Sequence, residues 1–469
     1  MTSGVPGRVA VVGGGLAGIA AALGLAEAGW TPIVIETRGK LGGRATSFVD
    51  PRSGLELDNC QHVLMGCCTN LLELYRRLGV LDRIEWHPTV YWADPPRDPI
   101  PMKPGLLPAP AHFLGSFRRL RIISASARRA VSRAMWRMLR MGFAGRERWR
   151  GRAFSDFLAE TGQPAEAIER FWEPVVVSAC NAACAAVDAT FALQVFQEGF
   201  LASRWSPVMG LSTVPLRHLY QPTEDAIRAV GGEVHLGMSA KALAFERDRL
   251  TGVVTDEGFV AASAVISAVP WDRLAKLASA TLVAADPRLQ RLDRLSATPI
   301  LGVHLFFDRP VLTTPHLVLP GRATHWLFGK GVDERGLHHV HAVISAAEAW
   351  MDMQEAEIAA KVMEDVRWAL PAAADATPVE VRSVKEKRAT FAPVPGVHAF
   401  RPRAAPDLSG LGRGCRNLYL AGDWCDTGWP ATMEGAVRSG FAAAAALTGR
   451  GGPVADVPPG RLARFLGLR

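Results

Sequence analysis

Three glycines near the start of the chain have the spacing of a site for a nucleotide pyrophosphate. Gly13, Gly15 and Gly18 follow an apolar run at residues 9–12. In a G-x-G-x-x-G pattern, the first glycine permits a tight turn and the second lets the backbone approach a pyrophosphate, while the third lets a helix lie close to the sheet. The positive N-terminus of that helix faces the phosphates. The spacing therefore predicts a strand, a glycine turn and a helix around a dinucleotide.

A carboxylate ends the next predicted strand. Residues 32–35 are apolar and are followed by Glu36. A carboxylate at this place accepts hydrogen bonds from the ribose hydroxyls of an adenine dinucleotide, and it repels a 2′-phosphate. A chain with 45 glycines contains many tight turns. Here, however, the strand, the helix, the second strand and its terminal acid all fall where the dinucleotide motif requires them.

A second glycine motif follows directly, since residues 37–44 read T-R-G-K-L-G-G-R. Together with Glu36, this stretch resembles the E-x-x-x-x-L-G-G-R motif of the flavin amine oxidase and phytoene desaturase superfamily. The resemblance implies that the cofactor is FAD and that Gly43 and Arg44 help to bind it. It also implies an α/β fold, in which a Rossmann-like FAD-binding domain carries an inserted α+β substrate domain.

The C-terminal part of the chain carries another match to this superfamily. Residues 420–440 read L-A-G-D-W-C-D-T-G-W-P-A-T-M-E-G-A-V-R-S-G, which resembles its L-A-G-D…P-A-T-M-E-G-A-x-x-S-G pattern. We expect a strand that ends at Gly422, binding of ribityl hydroxyls by Asp423, and a helix that starts near Thr432. The resemblance implies that Gly422 and Met433 also bind the cofactor. The positive end of that helix would stabilise negative charge on reduced flavin. The resemblance also implies that the backbone of Ala240 contacts the adenine ring.

The candidate catalytic residues come from two stretches that resemble one branch of the superfamily. Residues 58–62 read D-N-C-Q-H and residues 171–181 read F-W-E-P-V-V-V-S-A-C-N. Both are similar to the squalene-associated FAD enzymes, which include hydroxysqualene dehydroxylases of hopanoid synthesis. That resemblance implies that an acid protonates the allylic hydroxyl of hydroxysqualene and that reduced flavin delivers a hydride, which gives squalene and water. The candidate acids are His62, Asp58 and Glu173, although His62 equally suits a structural role.

Three other functions are compatible with the same fold. A carotenoid desaturase of the phytoene type transfers hydride in the opposite direction, from the polyene precursor to oxidised flavin, and the fold does not separate the two activities. A flavin amine oxidase carries a flavin-facing lysine where this chain has Gly302, which argues against amine oxidation. A non-catalytic carrier of prenyl lipids, similar to the GDP dissociation inhibitors, would not need the predicted flavin helix.

The pieces of the predicted FAD site are far apart in the chain. Prolines become dense between residues 94 and 110, where the dinucleotide pattern stops, and they indicate a crossing into a second domain. We predict that residues 1–90, 205–275 and 396–452 form an FAD-binding domain. Residues 91–204 and 276–395 form a substrate-binding domain, and residues 453–469 form a C-terminal tail.

The substrate-binding domain contains an arginine-rich segment. Residues 118–152 hold twelve arginines and a single acid, Glu147, in a chain whose net charge is +8. A helix there has an apolar face and an opposite basic face. The apolar face consists of Val131, Met135, Met138 and Leu139, and the basic face consists of Arg129, Arg133, Arg137 and Arg140. Such a helix lies on an anionic membrane, binds nucleic acid or covers a protein core. We expect a membrane-facing helix and no nucleic-acid partner, because no recognition motif accompanies the arginines.

The remaining expectations concern location and partners. No apolar run is long enough to span a bilayer and no secretory signal precedes the first strand, which predicts a cytoplasmic protein peripherally bound to the cytoplasmic membrane. Seven cysteines without a C-x-x-C pair predict reduced thiols and no metal site. The expected partners are a hydrophobic isoprenoid substrate and the membrane surface, with a hand-over of substrate from squalene-synthase-like enzymes.

Overall fold

This computed structural model describes residues 7–406 and 414–469. They contain twenty strands and fourteen α-helices. The strands, in chain order, are β1 (Arg8–Val12), β2 (Thr31–Glu36), β3 (Ser47–Val49), β4 (Glu56–Asp58), β5 (Val63–Met65), β6 (Ile84–His87), β7 (Val90–Asp94), β8 (Arg97–Met102), β9 (Met209–Ser212), β10 (Glu233–Leu236), β11 (Ala240–Glu246), β12 (Arg249–Thr255), β13 (Gly258–Ala261), β14 (Ala264–Ser267), β15 (Ala297–Phe307), β16 (His316–Val318), β17 (Trp326–Val332), β18 (His338–Ser345), β19 (Glu380–Phe391) and β20 (Leu418–Leu420). The α-helices are α1 (Leu16–Glu27), α2 (Thr69–Arg77), α3 (Leu114–Phe117), α4 (Ala125–Arg146), α5 (Phe154–Glu160), α6 (Ala165–Ala167), α7 (Glu173–Cys180), α8 (Ala189–Phe196), α9 (Pro222–Arg228), α10 (Trp271–Leu277), α11 (Ala280–Ala285), α12 (Glu355–Ala369), α13 (Met433–Thr448) and α14 (Arg461–Phe465).

A five-stranded parallel sheet contains strands from both ends of the chain. Its order is β10-β2-β1-β14-β20, so the N-terminal strand lies at the centre and the C-terminal strand lies at one edge. The two faces of β1 pack into different cores, with Val9 and Val11 on one side and Ala10 and Val12 on the other. This is the pattern of a parallel strand that is covered on both faces. The predicted α/β fold with a Rossmann-like core is confirmed.

The predicted domain bounds are not tested by this arrangement and stay a prediction. Residues 1–6 and 407–413, which the predicted FAD-binding pieces include, lie outside the described part of the chain.

Helices α1 and α13 cross very closely on one face of the parallel sheet. A Cβ atom at Gly440 of α13 would lie 2.2 Å from the carbonyl oxygen of Ala17 in α1. A Cβ atom at Gly24 would lie 2.9 Å from that of Ala444. Small residues on both helices therefore let the two backbones approach each other. Because α1 follows the first glycine turn and α13 follows β20, the crossing joins the two ends of the chain.

A seven-stranded mixed sheet forms the centre of the inserted part. Its order is β19-β15-β18-β17-β16-β7-β8. Successive residues of a strand point to opposite faces. In β15, Leu301 and Val303 pack against Val362 of α12 in a separate core. Gly302 and His304 consequently lie on the opposite face, which is turned away from α12.

The helices of the insertion pack around an aromatic cluster. The ring of Trp172 lies 5.9 Å from that of Phe154 and 4.8 Å from that of Phe196, measured between centroids. Helix α7 ends at Cys180 and is followed by its C-cap Asn181, which has a left-handed backbone with φ of 55°. The Asn181 amide donates to the carbonyl oxygen of Thr298 at 3.2 Å and so ties the helix to β15. Packing and this tie account for much of the segment around Trp172 and Asn181.

The arginine-rich segment forms helix α4, and its apolar face is buried inside the protein. Val131, Met138 and Leu139 belong to the aromatic core, and Met135 packs against it. The hypothesis that this apolar face enters a bilayer is therefore wrong, because the protein itself already covers it. In the described ranges, no helix is long and apolar enough to cross a membrane.

The arginines of α4 differ in their surroundings. Arg129, Arg133 and Arg140 are exposed. Arg137 instead pairs with Glu160 at 2.8 Å, and its guanidinium lies 5.5 Å from the ring centroid of Trp149. Arg137 therefore contributes to the attachment of α4 to α5 rather than to a free basic face.

A buried ion pair joins the seven-stranded sheet to the segment that follows β3. Arg382 of β19 directs its guanidinium at Asp50, which follows β3, with Nε to Oδ1 at 2.7 Å and Nη2 to Oδ2 at 2.9 Å. Both side chains are almost completely buried. A bidentate pair of this kind has a defined geometry and holds the two elements in one relative position.

We expect Gly440→Leu to destabilise the protein, since a side chain there collides with the backbone of α1. Overpacking of this kind costs about 1–3 kcal/mol. Thermal unfolding followed by circular dichroism measures the effect. Gly115→Ala is the control, because a Cβ atom at Gly115 meets nothing within 4 Å, and it should unfold like the unmodified protein. An unchanged midpoint for Gly440→Leu would contradict the close crossing.

Candidate functional site

The predicted cofactor residues lie together at the carboxyl edge of the parallel sheet. Gly13 follows β1, Glu36 ends β2, Ala240 comes shortly after β10, and Gly422 and Asp423 follow β20. In open α/β sheets, ligands bind outside the carboxyl ends of the strands. The fold therefore gathers residues from distant parts of the sequence at the edge where a dinucleotide binds.

The three glycines of the first motif have three different surroundings. Gly13 has a φ of +107°, which favours glycine at the tight turn. A Cβ atom at Gly18 would lie 1.8 Å from the carbonyl oxygen of Gly13, so the helix packs tightly on the turn. At Gly15, by contrast, the nearest atom to a Cβ is the Cα of Gly43 at 3.7 Å. The space over Gly15 is open, as the close approach of a pyrophosphate requires.

Glu36 is buried and its carboxylate already accepts two backbone hydrogen bonds. Oε2 accepts from the N–H of Gly14 at 2.6 Å, and Oε1 accepts from the N–H of Arg38 at 2.8 Å. An ionised carboxylate has about four acceptor positions. Glu36 is thus fixed in orientation and still able to accept hydrogen bonds from two ribose hydroxyls. Its remaining acceptor positions fit the ribose end of FAD.

Ala240 lies next to this ribose end. Strand β10 pairs with β2 so that Leu236 is opposite Glu36. The N–H of Gly237 donates to the carbonyl oxygen of Arg38 at 3.1 Å. The start of β11 at Ala240 therefore follows a turn that is held against the end of β2, where the adenine contact was predicted.

Arg44 connects the second glycine motif with the C-terminal loop. Its Nη2 forms an ion pair with Oδ1 of Asp423, and its Nη1 donates to the carbonyl oxygen of Ala389 at 2.6 Å. Asp423 is buried. Three elements meet at this guanidinium: the loop after β2, the loop after β20 and strand β19. Asp423 is thus placed at the cofactor edge with its carboxylate oriented by a cation.

A buried arginine that sequence reasoning missed shapes the loop after β20. Nη2 of Arg401 donates to the carbonyl oxygens of Asp423 at 3.1 Å, Cys425 at 2.5 Å and Trp429 at 2.8 Å. Burial lowers the pKa of Arg401 to about 10, so the side chain is still charged at neutral pH. Nothing in the local sequence marks Arg401, because its partners are backbone atoms of another segment.

Helix α13 begins at Met433, in agreement with the predicted start. Thr432 is its N-cap, since the side-chain oxygen accepts the N–H of Gly435 at 3.1 Å. Glu434 is buried and accepts from the N–H of Leu71 at 2.8 Å, which caps α2. The first turn of α13 is therefore fixed from both sides, and its positive end lies beside the loop that carries Asp423.

Three neutral histidines, His304, His339 and His341, lie on the face of the seven-stranded sheet that bears Gly302. We call them the histidine wall. Nε2 of His304 lies 3.0 Å from the carbonyl oxygen of Asp58, and Nδ1 lies 2.9 Å from Nε2 of His339. Because a carbonyl only accepts, His304 donates from Nε2 and accepts at Nδ1. The His341 ring stacks on His304 with centroids 3.9 Å apart.

The protonation of these histidines follows from their burial. Burial lowers the pKa of His304 to about 4, and it lowers the pKa values of His339 and His341 well below the ordinary value. All three rings are consequently uncharged at neutral pH. They form a rigid polar surface without net charge next to the D-N-C-Q-H stretch.

The histidine wall also explains why position 302 is glycine. A Cβ atom at Gly302 would lie 2.8 Å from Nε2 of His341 and 3.3 Å from the carbonyl oxygen of Asn59. The space that a side chain at this position needs is thus filled by an imidazole ring. The place at which amine oxidases are expected to carry their lysine does not accommodate one in this chain.

A lysine nevertheless reaches this site from another strand. Nζ of Lys330 in β17 lies 3.3 Å from Oδ2 of Asp58 and 3.2 Å from Oε1 of Gln61. Oδ1 of Asp58 accepts from Oγ of Ser47 at 2.8 Å and from the N–H of Leu216 at 3.0 Å. Sequence reasoning missed Lys330. The available signal was its alternation with two aromatic residues in Trp326-Leu327-Phe328-Gly329-Lys330.

The structure brings two of the three candidate acids together. Nδ1 of His62 lies 3.0 Å from the carbonyl oxygen of Cys60, so Nδ1 carries the hydrogen and Nε2 has a free lone pair in the neutral ring. The pKa of His62 lies below its ordinary value because the ring is buried, and the charge of Asp58 offsets this effect only in part. Glu173 lies in α7, where its carboxylate accepts the N–H of Cys184 at 3.0 Å. Its contact with Cys184 serves the turn after α7, and its catalytic role stays a prediction.

Comparison with known proteins gives the family of the chain. Residues 16–448 match the model of the flavin containing amine oxidoreductases. The chain is 26% identical over 475 residues to 15-cis-phytoene desaturase of Synechococcus elongatus, covering 94% of this chain and 96% of that protein. It is 28% identical over 455 residues to hydroxysqualene dehydroxylase of Sinorhizobium fredii, covering 94% of this chain and 98% of that protein.

A solved structure shows the same fold. An oxidoreductase from Methanosarcina mazei superposes with a TM-score of 0.72 at 17% identity, over 94% of this chain and 100% of that one. The family match extends from the first helix to the last helix of the cofactor site. The chain therefore belongs to the family of flavin-containing amine oxidoreductases, within the superfamily that includes phytoene desaturase, and it is an oxidoreductase whose cofactor is FAD.

Proposed function

We propose that this protein removes the allylic hydroxyl group of a squalene-type isoprenoid, with hydroxysqualene as the substrate and squalene as the product. The observation that carries the proposal is the ammonium group of Lys330, held between Asp58 and Gln61 at 3.3 Å and 3.2 Å. Loss of a hydroxyl requires an acid, because water is a far better leaving group than hydroxide. Lys330 places such an acid beside the D-N-C-Q-H stretch.

The cofactor and the protein have separate tasks in this reaction. FAD in its reduced form, when bound, supplies the hydride that replaces the departing oxygen. Gly15, Glu36, Arg44, Asp423 and the start of α13 would hold it. Lys330 donates a proton to the hydroxyl oxygen, the C–O bond breaks, and water leaves. The reduced cofactor would supply the hydride and its electron pair, and Lys330 supplies the proton that leaves with the hydroxyl as water.

The surroundings of Lys330 suit proton transfer. Asp58 is oriented by Ser47 and Leu216, so it holds the ammonium in one place. The neighbouring histidines are neutral because burial lowers their pKa values. Because none of these rings is protonated to an imidazolium at neutral pH, none competes with the Lys330 ammonium as the proton donor. Lys330 is the preferred acid in this proposal, and Asp58 is its positioning residue.

Similarity to a relative supports the same substrate class. The dehydroxylase of Sinorhizobium fredii matches over nearly its full length, and the chain carries the D-N-C-Q-H stretch at residues 58–62. We propose that the substrate is handed over from squalene-synthase-like enzymes, since hydroxysqualene is insoluble in water and must come from a prenyl-coupling reaction.

A second candidate function is desaturation of a phytoene-type polyene. The observation that favours it is the free lone pair on Nε2 of His62. Desaturation removes a hydride, which oxidised FAD accepts, and a proton, which requires a base. The phytoene desaturase of Synechococcus elongatus matches this chain over a similar length. The two candidates differ in the direction of hydride transfer.

We expect Glu36→Arg and Gly15→Val to purify without flavin. The first variant removes the ribose acceptor, and the second puts a side chain into the open space over the glycine turn. The visible absorbance of oxidised flavin in the purified protein gives the FAD content. Glu257→Arg and Gly115→Val are matched controls at exposed positions and should stay yellow. Stoichiometric FAD in either test variant would show that the motif is assigned incorrectly.

The direction of hydride transfer separates the two candidate functions. In anaerobic single turnover with pre-reduced flavin, we expect hydroxysqualene to be converted to squalene while the flavin becomes oxidised. Deuterium carried by the reduced flavin should appear in the product, as measured by mass spectrometry. Reduction of oxidised flavin by phytoene, without any flavin oxidation by hydroxysqualene, would favour the desaturase and reject the dehydroxylase.

We expect Lys330→Gln to slow flavin oxidation by hydroxysqualene by about 10²- to 10⁴-fold, which is the usual contribution of a general acid. FAD content and substrate KM should change little. Lys330→Arg keeps the cation and the pair with Asp58 but donates its proton poorly, so it separates folding from chemistry. The control is Lys387→Gln at an exposed position of β19. Full activity of Lys330→Gln would remove Lys330 from the mechanism.

A further inference from the structure

Large apolar side chains are exposed around Arg204. Leu106 is fully exposed and Phe465 is 83% exposed. Leu107, Leu114 and Trp205 are also exposed. We call these five residues, together with the cations between them, the Arg204 surface. Single exposed apolar residues are ordinary, whereas several that lie on neighbouring segments indicate an interaction site.

Backbone contacts bring the segments of the Arg204 surface together. Nη1 of Arg204 donates to the carbonyl oxygens of Gly105 and Leu107, the latter at 2.6 Å. It thereby holds the loop that presents Leu106 at its tip. The N–H of Gly105 donates to the carbonyl oxygen of His112 at 2.6 Å, which joins this loop to α3 and to Leu114.

The C-terminal segment is attached to the same region. The N–H of Gly460 donates to the carbonyl oxygen of Ala202 at 2.8 Å, so α14 starts next to the Arg204 segment. The N–H of Phe143 donates to the carbonyl oxygen of Arg469 at 3.2 Å, and Leu468 is buried. The tail is thus packed against the end of α4, with Phe465 left outside.

The charges on these segments all have one sign. Residues 103–121, 199–210 and 457–469 contain no aspartate and no glutamate. Their exposed cations are Lys103, Arg118, Arg119, Arg121, Arg204, Arg461, Arg464 and Arg469. Of these, Arg121 is paired with Asp94 at 3.1 Å. A surface that combines protruding leucine and aromatic side chains with a clear excess of cations complements an anionic lipid bilayer. The apolar tips reach the acyl boundary while the cations contact the headgroups.

We propose that the Arg204 surface docks the enzyme on an anionic lipid bilayer, with Leu106, Leu107 and Phe465 inserted below the headgroups. The inference deepens the proposed function, on which it rests in one respect: an isoprenoid substrate resides in that bilayer. The docking element is the leucine loop with α14. It is not the apolar face of α4, which the protein core covers.

Sedimentation with lipid vesicles tests this assignment. The FAD-loaded full chain is mixed with vesicles of phosphatidylcholine alone, or of phosphatidylcholine with phosphatidylglycerol, and the bound fraction is measured. We expect binding to the anionic vesicles that falls as salt rises. Leu106→Asp with Leu107→Asp should lower the partition coefficient by about tenfold or more, since two apolar tips are replaced by anions. Arg461→Gln with Arg464→Gln should lower binding to anionic vesicles only.

The matched control replaces two exposed valines elsewhere. Val332→Asp with Val379→Asp changes exposed residues at the end of β17 and just before β19, beside Asp333 and Glu380. This variant should bind vesicles like the unmodified protein. Unchanged binding of the leucine variant, equal loss in the valine control, or no binding of the unmodified chain would overturn the proposal. So would a lipid-free dimer that the leucine variant dissociates in sedimentation velocity, because the surface would then bind a second copy.

Turnover of substrate dispersed in detergent separates this proposal from the proposed function. If the leucine variant turns over dispersed hydroxysqualene normally but does not bind vesicles, both proposals are supported. If hydroxysqualene is not turned over by any form while vesicle binding still depends on the leucines, the proposed function fails and the docking surface stands. FAD content, measured on every variant, shows that each one is folded.

Discussion

The cofactor site depends on the close crossing of α1 and α13. A residue larger than glycine at position 440 would bring its Cβ atom within 2.2 Å of the Ala17 carbonyl oxygen. Small side chains on both helices therefore set the distance between the N-terminal glycine turn and the C-terminal flavin loop. Arg401 and Thr432 then shape that loop and the start of α13. The two halves of the site are rigid relative to each other because their helices are in backbone contact.

The seven-stranded sheet is attached to this framework by charged side chains. Arg382 binds Asp50 in a buried bidentate pair, and Arg44 joins Asp423 to the backbone of β19. These contacts hold the histidine wall and Lys330 against the D-N-C-Q-H stretch. The groups proposed to react thus lie between the seven-stranded sheet and the segment after β3. Removal of one partner from such a buried pair is strongly destabilising.

Local motifs made the cofactor half of the site predictable. Gly13, Glu36 and Gly422 occupy the ends of parallel strands, and each has a role that depends on its immediate neighbours in the sequence. Lys330 and His304 were not predictable in the same way, because their partner Asp58 is more than 200 residues away in the chain and only the tertiary fold brings them together. Amphipathicity gave the faces of α4 correctly, yet it does not say whether protein or lipid covers the apolar one.

The chain order of the cofactor site has a consequence for biosynthesis. Strand β1 and helix α1 leave the ribosome well before β20 and α13, which complete the FAD site and cover α1. Translation at about 5–20 residues per second leaves the small-residue face of α1 without its partner for roughly 20 s or longer. The nascent chain consequently cannot enclose the flavin until α13 has been made. Until then the small-residue face of α1 is exposed to other apolar surfaces.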